Sequence, residues 1–196
     1  MRHPQGPSAV ELKSQAAHWL ATPSALDSLG LDDAMTVVDY MRPQALAAGD
    51  VLVAEGEADA LDRMWLVLEG ELSVESPALQ TGEAELVVRV MGPGSLIGEL
   101  SLLDGGPRSA SCVATTDLLV ATLDREDFLR LLAEHPAVGA RLLLAMAKRM
   151  AGHVRDLTRK LQLFAQMNRT LSEALDAPVD PTPVVDWPAI DGPDAD

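Results

Sequence analysis

The sequence predicts an α+β fold: an antiparallel, jelly-roll-like β-roll flanked by N-terminal helices and a long C-terminal helix. Three observations carry that prediction. Apolar residues recur at helical spacing near the N-terminus, switch to short β-branched runs cut by glycine, then return to helical spacing from Asp124 onward. The strand-like runs follow one another with no helix between them, which argues for an antiparallel roll or sandwich over a βαβ sheet. The 196 residues are 47% apolar and only 3% aromatic, enough for one domain whose core is built from Leu, Val, Ala and Met.

Each element follows in order. Residues 9–21, "AVELKSQAAHWLA", put Val10, Leu12, Ala16 and Leu20 at helical spacing, and Thr22-Pro23 ends the run. A second helix is expected from Asp32 to Met41, with Met35, Val37 and Val38 on its apolar face and Pro43 beyond its end. The β-runs are "DVLVAEGE", "RMWLVLEGELSVES", "AELVVRVMGPGS" and "ASCVATTDLLVATL", which bound the roll at about 45–123. Gly70 in "VLEGELSV" reads as a hairpin turn, and Gly49, Gly56, Gly82, Gly92 and Gly94 mark further turns. Asp124 is the expected N-cap of "DREDFLRLLAEH", with acidic residues in the first turn. A longer helix begins after Pro136 and runs to about Leu175. The last stretch, "APVDPTPVVDWPAIDGPDAD", has five prolines, five aspartates and no basic residue, a composition expected to stay disordered; Trp187 lies within it. The domain plan is a helical extension (1–24), the roll with its flanking helices (25–135), an exit helix (136–175) and an acidic tail (176–196).

The exit helix has a heptad register. Its d positions are Leu143, Met150, Leu157, Phe164 and Leu171, and its a positions are Ala147, Val154, Leu161, Asn168 and Leu175. One Asn at an a position favours a parallel two-stranded pairing, because each Asn finds its partner only in one register. A homodimer through this coiled-coil seam is expected, in competition near Leu143 with packing against the helix's own domain.

Charge and cysteine usage narrow the function. Net charge is −15, which repels nucleic acid and anionic membranes. Cys112 is the only cysteine, so no internal disulfide forms; a buried structural thiol in a reducing cytoplasm is expected. The N-terminus has no apolar segment of the signal-peptide kind, and no run approaches the ~20 apolar residues of a membrane span. A soluble cytoplasmic protein is expected. His3, His18, His135 and His153 all fall outside the expected strands, which argues against a metal-holding roll of the cupin kind. No nucleophile–base constellation has workable spacing. The expectation is a protein with no catalytic residues, no metal and no cofactor, and no enzymatic activity.

One segment carries chemistry. In "IGELSLLDGGPRSA", Ile97–Ala110, Gly98 opens a short helix whose first N–H groups lack intrahelical acceptors and can face an anion. Glycine has no Cβ to hold a ligand off the backbone. Arg108, behind the Pro107 turn, can offer two parallel N–H donors to phosphate oxygens, worth about 1.5–3 kcal/mol. Glu99 suits a hydroxyl such as a ribose 2′-OH. Two readings stay open on this chemistry: a cradle for a nucleotide whose phosphate folds back on its ribose, or a plain Glu–Arg surface pair.

The segment resembles the phosphate-binding cassette of cyclic nucleotide-binding domains, the family of the bacterial catabolite activator, the regulatory subunits of cyclic-AMP-dependent kinase and cyclic-nucleotide-gated channels. "IGELSLLDGGPRSASCVA" is similar to its form: Gly-Glu, a short apolar helix, a variable loop, then Arg, a small residue and Ala. The flanks "ALAAGDVLVAEGE", "MWLVLEGELSV", "GPGSLIGE" and "DREDFLRLLAEHP" fall in the family's order, so the resemblance covers about residues 25–160. It implies a receptor for cyclic AMP or cyclic GMP. Glu99 would take the ribose 2′-OH and Arg108 the cyclic phosphate. The backbone around Gly98, Leu100 and Ser109 would complete the cage, with Ala110 following and the Ser109 hydroxyl also able to face the base. The exit-helix positions that meet the base in the catabolite activator fall at His153 and Val154, where that protein has small hydroxyl residues. Val154 belongs to the dimer seam here, which leaves His153 as a further ligand candidate and the base undetermined. No helix-turn-helix segment is seen in the 21 residues after Leu175, so the expected output passes to an unidentified protein partner, not to DNA. The alternatives are a non-binding interaction module of the same fold, or a shortened transcriptional regulator of the catabolite-activator type. Arg108→Ala is expected to abolish binding and to change stability by no more than about 1 kcal/mol, as a surface substitution does.

Overall fold

The computed structural model describes residues 8–26, 28–56, 62–75 and 87–176. The acidic tail from residue 177, with Trp187, and the turn expected at Gly82 lie outside the described residues. Two compact units divide the chain, Met1–Gly152 and His153–Asp196.

The first unit opens with helices α1 (Ala9–Leu20) and α2 (Leu31–Val38). Ser8 and Glu11 form a reciprocal capping box on α1: the Glu11 amide donates to Ser8 Oγ at 3.3 Å and the Ser8 amide to Glu11 Oε2 at 2.7 Å. The buried face of α1 is Ala16, Ala17 and Leu20, whereas Val10, expected inside, is exposed. α2 stops before the expected Met41, because the chain turns at Asp39-Tyr40 to enter a strand the sequence reading missed, β1 (Arg42–Leu46).

Among the described residues seven further strands follow: β2 (Val51–Val53), β3 (Arg63–Glu69), β4 (Leu72–Glu75), β5 (Val87–Met91), β6 (Leu96–Ile97), β7 (Ser111–Ala114) and β8 (Leu118–Asp124). They form two four-stranded antiparallel sheets, in the orders β1-β8-β3-β6 and β2-β7-β4-β5. This is the expected β-roll. β1 is an edge strand, where Pro43 costs no ladder hydrogen bond.

Strand β3 is central and has both faces covered. Met64, Leu66 and Leu68 face the helices, while Trp65 and Val67 face the second sheet. A strand read on both faces should be apolar without alternation, which is the run "MWLVL". Gly70 does not turn a hairpin. Strands β3 and β4 lie in different sheets, and Gly70 carries the chain across at φ +82°. A Cβ there would strike the Asp117 carbonyl oxygen, so the crossing needs glycine.

Among the described residues three further helices follow: α3 (Glu99–Asp104) between β6 and β7, then α4 (Arg125–Glu134) and α5 (Pro136–Asp176). Asp124 caps α4 as expected, its Oδ1 accepting from the Asp127 amide at 2.9 Å. α5 starts at Pro136, the position where a missing N–H costs least. Leu142, Ala145 and Met146 of α5 are buried in the helical core of the first unit. Arg141 adds a two-pronged contact to Asp33 of α2, Nε to Oδ2 at 2.5 Å and Nη2 to Oδ1 at 2.6 Å. Cys112 is buried between the sheets, and burial pushes its thiol up to about 11. Among the described residues no helix is long and apolar enough to cross a membrane.

Candidate ligand cassette

The site is built outward from β3. β6 pairs with it, Ile97 opposite Trp65 and Leu96 opposite Leu66, which delivers the chain to Gly98 beside that strand. Gly98 adopts φ +79° and caps the N-terminus of α3. No other residue fits. A Cβ would collide with Arg108 Nη1, lie 2.8 Å from the Arg63 carbonyl oxygen and 3.2 Å from Trp65 Cζ3. After α3, Gly105 closes the helix in the left-handed region, and the Gly106 amide donates to Asp104 Oδ1 at 2.8 Å. The loop then returns Arg108 to the spot from which Gly98 started.

Arg108 is buried. Its Nη2 donates to the Arg63 carbonyl at 2.9 Å and its Nη1 to the Gly98 carbonyl at 3.4 Å. The guanidinium carbon sits 4.8 Å from the Trp65 ring centroid. Its own carbonyl accepts from the Gly56 amide at 3.1 Å, tying the loop to the turn after β2.

Glu99 is buried as well, and an ion pair links it to a residue that sequence reasoning missed. Arg149 of α5 places Nε 3.4 Å from Glu99 Oε1. The same guanidinium donates to the carbonyls of Ser24 at 2.6 Å, Ala25 at 3.2 Å and Leu96 at 3.4 Å. One side chain thereby joins the N-terminal turn, the strand entering the cassette and the cassette's carboxylate. At the other end of α3, Arg125 Nη1 donates to the Leu102 carbonyl at 3.0 Å, where helix carbonyls lack intrahelical partners. Three arginines converge on one short helix in a chain of net charge −15. Of the two readings left open, the surface placement of a Glu–Arg pair does not hold: both charges are interior groups.

This arrangement has relatives. Residues 43–135 match the family described as "Cyclic nucleotide-binding domain". The chain belongs to that family. The "Cyclic AMP receptor protein" of Thermus thermophilus is 33% identical over 138 residues, 70% of this chain and 61% of that protein. The "CRP-like cAMP-activated global transcriptional regulator" of Mycobacterium tuberculosis is 29% identical over 110 residues, 56% of this chain and 47% of that protein. The solved N-terminal domain of a transcriptional regulator from Streptomyces coelicolor is 34% identical, with a TM-score of 0.59, covering 69% of this chain and 94% of that one. The chain spans about half the length of the curated relatives it matches.

In this cyclic nucleotide-binding domain, the residues singled out from sequence fall together at one end of the roll. Gly98, Glu99 and Leu100 open α3; Arg108, Ser109 and Ala110 close its loop. Leu100 and Ser109 are exposed, Gly98 and Ala110 half-buried. His153 is exposed on α5 in the second unit. The signal for Arg149 was present in the sequence. Leu142, Ala145, Met146 and Arg149 make a second stripe on α5, distinct from the heptad seam, and a cation ending an apolar stripe needs a partner inside.

The seam residues themselves point outward. Leu143 and Ala147 are exposed and Met150 half-buried in the first unit, where the helix does pack on its own domain, but through the neighbouring stripe of Leu142, Ala145 and Met146 and not through Leu143. In the second unit Val154, Leu157, Leu161, Phe164 and Leu171 are each more than half exposed, and Asn168 is exposed among them.

Proposed function

We propose that the chain is a cyclic nucleotide receptor, with cyclic AMP as its ligand, that acts through its exit helix as a homodimer and signals to a protein partner. The observation that carries the reading is the burial of Glu99 and Arg108 at the two ends of one Gly-bounded segment. Buried charges are costly, and both are fixed at a site where the family places its nucleotide. Glu99 would accept from the ribose 2′-OH and Arg108 would donate to the cyclic phosphate. The amides near Gly98, Leu100 and Ser109 would add donors. Cyclic AMP is preferred because the names of both curated relatives carry it.

The link from Glu99 to Arg149 supports a route to the output. Ribose hydroxyl and Arg149 share one carboxylate, so occupancy changes the hold of Arg149 on the Ser24, Ala25 and Leu96 carbonyls. A ligand shifts α5 only in so far as it binds the two helix positions with different affinity. The exposed apolar heptads support pairing with a second copy, Asn168 against Asn168. The acidic net charge supports a protein partner over DNA.

Calorimetric titration with cyclic AMP and cyclic GMP tests the reading. Binding of cyclic AMP, lost in Arg108→Ala, is expected. No binding of either at high micromolar ligand would leave a degenerate interaction module. Sedimentation should give a dimer that Leu157→Glu with Leu161→Glu dissociates; a wild-type monomer refutes the seam. Hydrogen exchange across 137–175 should change at saturating nucleotide, and identical exchange refutes the coupling. A gel shift at physiological salt should show no DNA binding; a shifted band would favour a transcriptional regulator.

A further inference from the structure

We infer that Trp65 is a positioning residue for the ligand-binding arginine: its ring is the platform that holds the Arg108 guanidinium in one plane, ready for an anion. This rests on the proposed reading of Arg108 as the phosphate contact.

The geometry is local and over-determined. Arg63 and Trp65 are two apart on β3, so carbonyl and ring come from a single strand segment. The Arg63 carbonyl takes one terminal nitrogen of Arg108, the Gly98 carbonyl the other, and the indole lies 4.8 Å beneath the central carbon. Gly98 closes the fourth side, with no room for a methyl group between Arg108, Arg63 and Trp65. A guanidinium held over a ring bonds through N–H groups in its own plane, which is the direction from which a phosphate oxygen approaches it. Trp gives the strongest cation–π attraction of the aromatic residues, and the attraction grows when the cation is desolvated, as a buried Arg108 is.

The indole nitrogen argues that the ring, rather than its N–H, is what the site uses. Trp65 is 2% exposed and its Nε1 has no hydrogen-bond partner among the described residues. A buried donor without a partner disfavours Trp relative to an apolar ring of similar shape. The compensating contact is the stack. Holding Arg108 before the ligand arrives removes the ordering cost from the binding step.

The experiment is a cycle of four proteins: wild type, Trp65→Phe, Arg108→Lys and the pair together, titrated with cyclic AMP and cyclic GMP. Phe keeps a ring and preserves the fold; Lys keeps the charge but cannot stack as a plane. Trp65→Phe should weaken binding by about threefold to tenfold in the wild-type background and by no measurable factor beside Arg108→Lys. An equal factor in both backgrounds, or no change in the wild type, overturns the proposal, because a merely structural role lowers affinity whichever cation is present. A ligand-free readout separates this from the functional reading. By NMR, the Arg108 Nε–H should exchange with solvent about tenfold faster in Trp65→Phe than in the wild type. Equal exchange rates overturn the positioning role even if the wild type binds. A wild type that binds neither nucleotide, yet shows the exchange difference, refutes the receptor reading and leaves the stack standing.

Discussion

Glu99 Oε1 lies 3.4 Å from Arg149 Nε, with the two side chains 9% and 12% exposed. A carboxylate at the start of the cassette and a cation three turns into the exit helix are thereby one buried pair. Removing one member leaves the other charged in a site built for two, which costs about 3 kcal/mol or more in comparable pairs. Arg149→Ala should lower stability by that order, since it also strips the Ser24, Ala25 and Leu96 carbonyls of a donor. Glu99→Gln should cost less, because a neutral amide oxygen can still accept from Arg149. Urea denaturation of both variants reads the difference; equal losses would mean that the charge pair, not the carbonyl contacts, holds α5 to the cassette.

Arg108→Ala is a second prediction, and it differs from the one drawn from sequence. A surface arginine would leave stability within about 1 kcal/mol. Arg108 is instead buried, donates to two carbonyls and covers an aromatic face. Its removal should cost about 1–3 kcal/mol as well as nucleotide binding. A calorimetric unfolding midpoint unchanged from wild type would show that water replaces the guanidinium without loss.

The difference between those two forecasts marks how far the sequence could be read. The central strand, the Asp124 cap, the Pro136 start and the spacing of Gly98, Glu99 and Arg108 were legible, because each follows from local chemistry or a fixed period. Gly70 was legible as a turn but not as a crossing, since glycine signals a reversal and not which strands pair. Strand β1 was hidden by Pro43 and by the polar neighbours an edge strand tolerates. The burial of Arg108 was hidden because its platform, Trp65, lies on a strand far upstream. Arg149 was masked by the heptad: one helix carries two stripes, and the stronger pattern drew the reading outward.

Cys112 gives a chemical prediction. Burial between the sheets holds its thiol at about 11, so only about one in a thousand is ionised at pH 8. The thiolate is the reactive form. Native protein should therefore react with a disulfide reagent far more slowly than urea-unfolded protein. Rapid stoichiometric labelling at pH 8 in buffer would mean that the sheets open around β7.

The Asp33–Arg141 contact predicts a pH dependence. The guanidinium beside Asp33 holds its carboxyl below the usual value. A carboxyl with a depressed folded pKa contributes stability above its unfolded pKa, about 3.9, and loses it as pH falls through the lower folded value. The Tm of Asp33→Asn should therefore lie below that of the wild type by a constant amount from pH 5 to 8. The gap should shrink on acidification below pH ~4. High salt should also narrow it, because Arg141 is half exposed. A gap that widens in acid would place the stabilisation elsewhere.

Two glycine-to-alanine substitutions should separate a demanding backbone position from a permissive one. At Gly98, φ is +79° and the Cβ direction is filled by Arg108, the Arg63 carbonyl and Trp65. The left-handed conformation alone costs an alanine about 1–2 kcal/mol, and the collision adds to it. Arg108 is the most movable of the three, so Gly98→Ala should displace it and abolish nucleotide binding along with a stability loss above about 2 kcal/mol. At Gly92 a Cβ would meet nothing closer than 3.9 Å, the Glu71 Cγ and the Gly70 carbonyl oxygen, and φ is not in the left-handed region. Gly92→Ala should leave binding unchanged and stability within about 0.5 kcal/mol. Equal behaviour of the two variants in calorimetry would mean that the cassette relaxes around a new methyl group, and that Arg108 is not held as tightly as its contacts imply.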